Sequence, residues 1–403
     1  MPIAQAMALA DHENGLILSG GGARAAYQAG VLRGIARILG RDAVSPFPII
    51  SGTSAGAINA ATLAVHADDF RRGVARLLRW WRSVTVESVY RADLRSLSAH
   101  GFRFLGSLVG AARAPGGAAS MFDNAPLAHT IAAELDLRRL DRMIKQGALR
   151  ALAVNATSYA TGQAVTFFQG AMSVSPWKRT RRRGERCHLG VEHLMASTAI
   201  PFIFPAVQLR DDWYMDGSVR QITPLSPALH LGARRLVVIA VGQFVGQRRG
   251  TVPGGDAPSY PSFAQVAGHA LSSIFLDNLG ADLERLMQMN RVVDRLGARL
   301  HGDSDVGTAH VDAFVIGPSQ DLGEVARNYV ARLPAGVRAL LRGFGSSQGT
   351  GANLPSYLLF DRGFCRALLA LGYADAMAQR DEIAAFLAGA DVRYSPLAVR
   401  AFQ

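Results

Sequence analysis

The chain has 403 residues, of which 49% are apolar, so it can bury a full core and is not a disordered protein. Its formal net charge of +12 favours anionic partners such as phospholipid surfaces. The sequence has no RNP motif, zinc finger or aromatic-interleaved basic stripe, and we therefore expect no nucleic-acid partner.

The sequence shows neither a secretory signal pattern nor a transmembrane pattern. Residues 1–14 lack the basic and apolar regions of a secretory signal, and no stretch approaches the roughly 18 apolar residues of a transmembrane helix. Cys187 and Cys365 lie far apart without a CxxC pattern, so no disulfide framework is expected. We predict a cytoplasmic protein that contacts membranes only at their surface.

Strand and helix patterns alternate from residue 15 onward. The apolar run at 15–20 is typical of a buried strand, and 23–40 carries helical apolar spacing that Gly40 ends. A second apolar run at 46–52 precedes the small, apolar stretch at 54–67. This order is the signature of a parallel sheet, so we predict an α/β fold.

The rest of the chain is less regular. Residues 67–120 are predicted to be helical decoration that ends in a flexible loop. Further strand patterns lie at 151–170, where two strands flank a turn, at about 205–210, and at 233–242. After a glycine- and proline-rich connector the patterns are mostly helical, except for a strand-like run at 311–317. We predict an α/β domain over 12–245 and a mostly helical C-terminal region over 246–403, with 311–317 a candidate strand of the same sheet.

A Gly-x-Ser-x-Gly pentapeptide, Gly52 to Gly56, follows the second predicted strand and opens a helix. In a nucleophile elbow this turn presents a serine at the end of a strand, and small flanking residues prevent clashes. The pentapeptide also occurs by chance, so its position between strand and helix carries the argument. Ser54 is the candidate nucleophile.

Three consecutive glycines, Gly20, Gly21 and Gly22, end the first predicted strand. Glycine costs roughly 0.5–1 kcal/mol relative to alanine in regular structure, so this run indicates a tight turn or a close approach to a ligand. Backbone N–H groups at a helix start suit an anion, and the carboxyl ends of parallel strands share one crevice. We predict an oxyanion-binding turn that faces Ser54.

A nucleotide site is the rival interpretation of the same glycines. Asp42 lies about where a ribose-binding acid would be. Against this interpretation, Ala25 takes the third position of G-x-G-x-x-G, and the P-loop sequence Gly-Lys-Ser/Thr does not occur.

An acid-glycine pair, Asp216-Gly217, follows an aromatic strand pattern. It suits either a carboxylate delivered on a tight turn or an ordinary solvated hairpin turn. The residues alone leave both readings open.

Taken in order, these motifs resemble the patatin-like phospholipase family: a glycine triplet followed by Arg24, then Gly-x-Ser-x-Gly, then Asp-Gly far downstream. The stretch ASTAIPFIFPAV at 196–207 is also similar to the family's segment ahead of Asp-Gly, and the resemblance spans roughly 14–242. It implies a three-layer α/β sandwich with a mainly parallel central sheet. It also implies a serine acyl hydrolase that cleaves acyl esters of phospholipids or lysophospholipids and needs no cofactor.

Carried over by residue, the resemblance implies that Ser54 is the nucleophile and Asp216 its base, without a histidine. It assigns the oxyanion hole to Gly20, Gly21, Gly22, Ala23 and Arg24, with Arg24 steadying the loop or the lipid phosphate. Gly52 and Gly56 frame the elbow, and Gly217 forms the acid turn. Two positions depart from the family pattern: Ala25 replaces a glycine, and Ser218 stands where glycine or alanine is commoner.

Two other functions stay open. A Ser-Asp-His α/β-hydrolase could take its histidine from a position downstream of Asp216, namely His230, His269, His301 or His310. Such a fold, however, usually builds several strands before its elbow, whereas Ser54 follows one strand and one helix. The departures at Ala25 and Ser218 also allow a catalytically weak lipid-binding or regulatory module with the same fold.

A basic run at 178–186 follows Trp177. It is either a solvated loop or an interfacial patch, in which Arg181, Arg182 and Arg183 contact lipid head groups while Trp177 inserts beside them. His188 and His193 do not have the spacing of a helical zinc motif, so we expect no metal.

Overall fold

A computed structural model describes residues 14–40, 43–92, 120–221, 223–242, 279–297, 310–343 and 354–390. Within these ranges the molecule is built on one mixed sheet of ten strands. The strands are β1 (Asn14–Leu18), β2 (Ile49–Thr53), β3 (Ala151–Ser158), β4 (Ala164–Gly170), β5 (Trp177–Arg179), β6 (Arg182–Arg186), β7 (Val207–Leu209), β8 (Asp212–Asp216), β9 (Arg235–Ile239) and β10 (Asp312–Ile316).

The central strands run parallel, in the order β10-β9-β1-β2-β3. Beyond β3 the sheet continues through β4, β6 and β5, with β4 antiparallel to β3. Strand β8 pairs antiparallel with the last residues of β3, and β7 pairs with β8. The parallel centre confirms the α/β fold expected from the alternating patterns.

Helices cover both faces of the sheet. They are α1 (Ala26–Leu39), α2 (Ala55–Ala64), α3 (Phe70–Ser83), α4 (Val86–Val89), α5 (Ala125–Glu134), α6 (Arg139–Lys145), α7 (Val191–Ser197), α8 (Ser226–His230), α9 (Leu279–Gly297), α10 (Leu322–Arg327), α11 (Ala335–Gly343), α12 (Leu354–Leu358), α13 (Arg362–Ala378) and α14 (Arg380–Leu387). Gly40, with φ 92°, follows α1 and ends it.

Two hydrophobic cores lie on opposite sides of the sheet, because side chains alternate along each strand. Leu16 and Leu18 of β1 point into the core shared with α1, α2 and α3, whereas Ile17 points into the core shared with α8 and α9. Helix, sheet and helix therefore form the three layers expected from the family resemblance.

The described C-terminal elements pack against the N-terminal half. β10, within the strand-like run at 311–317, pairs in parallel with β9. Helix α13 lies so close to α1 that a Cβ added at Gly30 would sit 2.4 Å from the Leu369 carbonyl oxygen. The predicted domain boundary at 245–246 falls outside the described residues, so the division into two domains stays a prediction.

The basic run is not the loop that one interpretation expected. It forms the β5–β6 hairpin, in which Trp177 pairs with Gly184. The Trp177 ring stacks between Phe168 and His230, with centroids 5.3 and 4.8 Å away, so it packs within the protein and is not free to insert into a membrane. Within the described part of the chain, no helix is both long and apolar enough to span a membrane.

Candidate active site

Sheet register brings Ser54 and Asp216 to the same place. Strand β2 runs parallel to β3 and ends with Thr53 opposite Asn155. Strand β8 approaches from the other direction along the same edge of β3 and ends with Asp216 opposite Ala156, the next residue. The two strands therefore meet end to end on β3, which places the serine that follows Thr53 beside the aspartate.

Ser54 has a strained backbone, with φ 55° and ψ −131°. A non-glycine residue in this conformation costs on the order of 1–3 kcal/mol and persists only where its surroundings hold it. The Ser54 N–H donates to Ser197 Oγ at 2.9 Å, and that hydroxyl donates to the Asn155 carbonyl oxygen at 2.6 Å. The Ala57 N–H donates to the Ser54 carbonyl at 2.8 Å, so the turn is fixed from both sides.

Close backbone contacts explain both glycines of the elbow. A Cβ at Gly52 would lie 2.5 Å from the Gly56 carbonyl oxygen, and one at Gly56 would lie 2.4 Å from the Leu18 carbonyl oxygen. Any larger residue would push α2 away from the ends of β1 and β2. The pentapeptide therefore has the strand-turn-helix context that the motif requires.

Asp216 is fully buried at the end of β8. Its N–H donates to the Ala199 carbonyl at 2.8 Å, and its own carbonyl accepts from Thr157 Oγ1 at 3.0 Å. Its Oδ1 accepts the Ser218 N–H at 2.8 Å. The pair Asp216-Gly217 is thus a held turn beside the serine and not a solvated hairpin turn.

Burial raises the pKa of Asp216 to about 6, because the ionised carboxylate loses its hydration. The Ser54 hydroxyl, and the Ser218 N–H and hydroxyl, oppose that rise by favouring the charged form. Oδ2 has no hydrogen-bond partner of ordinary geometry among the described residues. The Ser54 hydroxyl therefore lies near the carboxyl without completing a hydrogen bond to Oδ2.

The glycine turn lies directly against these two residues. A Cβ at Gly20 would lie 3.1 Å from the Ser54 Cβ and 2.5 Å from Ser218 Oγ. The N–H groups of Gly20, Gly21 and Gly22 have no acceptor within the described part of the chain. Gly22, with φ 53°, opens a short 3₁₀ helix that continues through Ala23 into α1. The turn that adjoins Ser54 through Gly20 thus carries three N–H groups whose hydrogen-bonding capacity is unused among the described residues.

Arg24 is buried and points to the C-terminal region. Its Nε donates to Ser356 Oγ at 2.7 Å and its Nη1 donates to Tyr357 Oη at 3.2 Å, both residues of α12. Its guanidinium also lies over the Tyr357 ring, 4.1 Å from the centroid. These contacts are those of a residue that anchors the glycine turn.

Several supporting residues were missed in the sequence. Asn155 donates from Nδ2 to the Gly52 carbonyl at 3.0 Å and to Thr53 Oγ1 at 3.1 Å, so it ties β3 to the elbow. A polar residue inside an apolar strand pattern was the available signal for it. Ser197, Ser356 and Tyr357 offered no such signal, because their partners lie more than a hundred residues away.

The three arginines of the predicted head-group contact separate in the structure. Arg181 and Arg182 line a cavity beside Gly217. Arg183 points to the other face of β6, where it pairs with Glu185 and donates to Gln163 Oε1 at 3.0 Å. Alternation along the strand divides the run between two surfaces.

The two described histidines downstream of Asp216 do not contact either catalytic candidate. His230 stacks on Trp177 and bonds within α8. His310 pairs with Asp294 and Asp312. His269, His301 and the Asp42 of the nucleotide interpretation lie outside the described residues.

A family model described as patatin-like phospholipase matches residues 16–229, more than half of the chain. The matched span includes the glycine turn, the elbow and Asp216. A search of curated proteins found no match.

Proposed function

The chain belongs to the patatin-like phospholipase family, which indicates a lipid acyl hydrolase. From this premise we propose that it cleaves acyl esters of phospholipids or lysophospholipids through Ser54 and Asp216. The observation that carries the proposal is the meeting of β2 and β8 on β3, which places Ser54 beside a buried carboxylate.

In the first step Asp216 accepts the proton of the Ser54 hydroxyl while Oγ attacks the ester carbonyl carbon. An ordinary aspartate is a weak base toward a hydroxyl, and a pKa raised to about 6 by burial makes Asp216 a stronger one. The negative charge that develops on the carbonyl oxygen is met by the unused N–H groups of Gly20 to Gly22.

The tetrahedral intermediate then collapses. The bond to the leaving alcohol breaks, the alcohol takes the proton from Asp216, and an acyl ester on Ser54 is left. In the second half Asp216 removes a proton from water, which attacks the acyl carbonyl and releases the fatty acid. Ser54 recovers its proton from Asp216.

The two departures from the family pattern fit this chemistry. Ala25 has φ −64° and ψ −10°, a helical conformation that alanine adopts without strain, so glycine is not required there. Ser218 keeps the backbone bond to Asp216 Oδ1 and adds a hydroxyl near the carboxyl. Neither residue removes a group that the reaction uses. This favours an active hydrolase over a catalytically weak lipid-binding or regulatory module.

We also propose that the hydrolase works at anionic membrane surfaces. Lys178, Arg179 and Arg181 are exposed on the β5–β6 hairpin, and Trp213 and Phe202 are large exposed apolar residues. Exposed basic and exposed aromatic side chains both suit the head-group region of a bilayer.

A fluorophosphonate probe tests the nucleophile. We expect the wild-type protein to be labelled and Ser54→Ala to be unlabelled, with fatty-acid release from mixed lipid extract lost in the same variant. Ser51→Ala, which changes a buried serine of β2 in the same stretch, serves as the control and should remain labelled. Equal labelling of Ser54→Ala and wild type would refute the proposal.

A further inference from the structure

A cavity of about 250 Å³ lies next to the candidate active site. Its walls come from β3, β4, the β5–β6 hairpin, the turn after Asp216 and helices α8 and α9. Asn155 and Gly217 line it, whereas Ser54 and Asp216 do not. It is therefore a separate space that adjoins the dyad through the Asp216 turn.

Four arginines surround this cavity: Arg181, Arg182, Arg220 and Arg285. No aspartate or glutamate is among the described residues that line it. None of the four arginines forms an ion pair in the described part of the chain. Arg182 donates from Nη1 to Thr223 Oγ1 at 3.3 Å, while its buried Nε has no partner among the described residues.

One buried carboxylate, that of Asp282, lies close enough to interact with two of the four arginines. Asp282 of α9 attracts Arg182 and Arg285, but it is buried, accepts the Leu225 N–H at 2.9 Å and does not line the cavity. The positive charge of this region also acts on His230. Burial is the main cause that lowers the pKa of His230, and the charges of Arg179 and Arg182 lower it further. Asp282 thus offsets part of the charge of two of the four guanidinium groups.

Size and lining decide which part of a ligand fits. Small-molecule sites usually span ~300–1,000 Å³, so this cavity of about 250 Å³ suits a small charged group better than a long acyl chain. Hydroxyl groups of Thr180, Thr223 and Ser226 line it together with the arginines. Guanidinium groups hold phosphate oxygens through paired hydrogen bonds, and hydroxyls complete such sites.

We propose that this cavity binds a phosphate group, supplied either by the head group of the lipid substrate or as free phosphate. The head-group case rests on the proposed hydrolase function. Binding itself does not, because the cavity and its charges are separate from Ser54.

Isothermal titration calorimetry with inorganic phosphate tests binding directly. We expect the wild type to bind phosphate and Arg182→Gln/Arg220→Gln to bind it at least tenfold more weakly. Arg183→Gln removes the same kind of charge from the other face of β6 and should bind as the wild type does. No binding by the wild type, or equal weakening by Arg183→Gln, would overturn the proposal. If the double variant does not fold, Arg285→Gln on the exposed side of α9 replaces it, with the same expectation.

Kinetics then distinguish the two sources of phosphate. If the substrate supplies it, phosphate inhibits lysophospholipid hydrolysis competitively. The double variant then lowers kcat/KM for lysophospholipid at least tenfold more than for p-nitrophenyl butyrate, which has no phosphate. If free phosphate is the ligand, it changes hydrolysis of p-nitrophenyl butyrate by the wild type and not by the double variant. Should Ser54→Ala keep its hydrolytic activity, the proposed function fails while calorimetry still decides whether the cavity binds phosphate.

Discussion

At the scale of single residues, the ionisation of Asp216 sets the pH at which the proposed dyad of Ser54 and Asp216 can work. The base must be ionised to accept a proton, and its pKa is raised to about 6 by burial. We therefore expect log kcat/KM for a soluble ester to rise with unit slope below pH ~6 and to level off above it.

Ser218 allows this assignment to be checked. Its hydroxyl favours the charged carboxylate, so Ser218→Ala should raise the pKa of Asp216 further and move the acidic limb to higher pH. Ser83→Ala, on the exposed end of α3, is the control and should leave the limb in place. A limb that stays fixed or moves to lower pH in Ser218→Ala would contradict Asp216 as the titrating base.

Backbone strain at Ser54 gives a prediction about stability. Ser54→Ala and Ser54→Gly both remove the proposed nucleophile, but only glycine adopts φ 55° and ψ −131° without strain. Relief of ~1–3 kcal/mol exceeds the ~0.5–1 kcal/mol that glycine adds to the entropy of the unfolded chain. Thermal unfolding should therefore show a higher Tm for Ser54→Gly than for Ser54→Ala.

Ala55, the next residue, is the control for this prediction, because glycine should destabilise the protein there. Ala55 begins α2 in ordinary helical geometry, so Ala55→Gly should lower Tm relative to the wild type. If Ser54→Gly were no more stable than Ser54→Ala, the elbow would not store strain.

At the scale of elements, α12 holds the glycine turn in place. Arg24 joins the turn to Ser356 and Tyr357, and a Cβ at Gly22 would lie 2.2 Å from the Tyr357 carbonyl oxygen. The C-terminal region thus contacts the loop whose N–H groups we propose to bind the oxyanion. Displacement of those donors weakens binding of the transition state more than binding of the substrate.

We expect Ser356→Ala and Tyr357→Phe each to lower kcat by about tenfold, with little change in KM, since a hydrogen bond to a charged group contributes ~1.5–3 kcal/mol. Tyr27→Phe is the matched control, because it removes a buried tyrosine hydrogen bond to Asp375 that joins α1 to α13 and involves neither Arg24 nor the three glycines. A loss of kcat as large in Tyr27→Phe would mean that general destabilisation, and not the position of the loop, causes the effect.

Local motifs of the site were predictable from the sequence, whereas its long-range contacts were not. The glycine turn and the elbow were predictable because each is a local strand-turn-helix unit whose residues are adjacent in the chain. Asp216 needed a family pattern, because only the pairing of β8 with β3 brings it to Ser54. Ser356 and Tyr357 were not predictable, since nothing local marks a residue whose partner lies 332 or 333 positions away.

The local sequence pattern also did not predict strands β5 and β6, because their residues are mostly charged. The run at 177–186 lacks the apolar alternation of a strand, yet β6 pairs with β4 and β5 pairs with β6. Stacking of Trp177 on Phe168 and His230 fixes this hairpin, and those partners come from other elements.

At the scale of the whole molecule, the net charge of +12 creates a field that attracts anionic surfaces. The β5–β6 hairpin presents Lys178 and Arg179 to solvent. Near an anionic bilayer each basic side chain contributes ~1 kcal/mol, and the attraction fades beyond a Debye length of ~10 Å at 0.1 M salt. We therefore expect the proposed membrane contact through this hairpin to depend on its own charges more than on distant ones.

Vesicle sedimentation measures this contribution. Two side chains at ~1 kcal/mol each correspond to roughly a 30-fold loss in partitioning, so we expect that loss for Lys178→Gln/Arg179→Gln on phosphatidylglycerol-containing vesicles. Added salt should weaken wild-type binding, and phosphatidylcholine vesicles should bind little. Arg71→Gln/Arg72→Gln, on the exposed side of α3, removes the same charge from another surface and should cost far less. Equal losses in the two double variants would mean that the field of the whole molecule, and not the hairpin, holds the protein at the membrane.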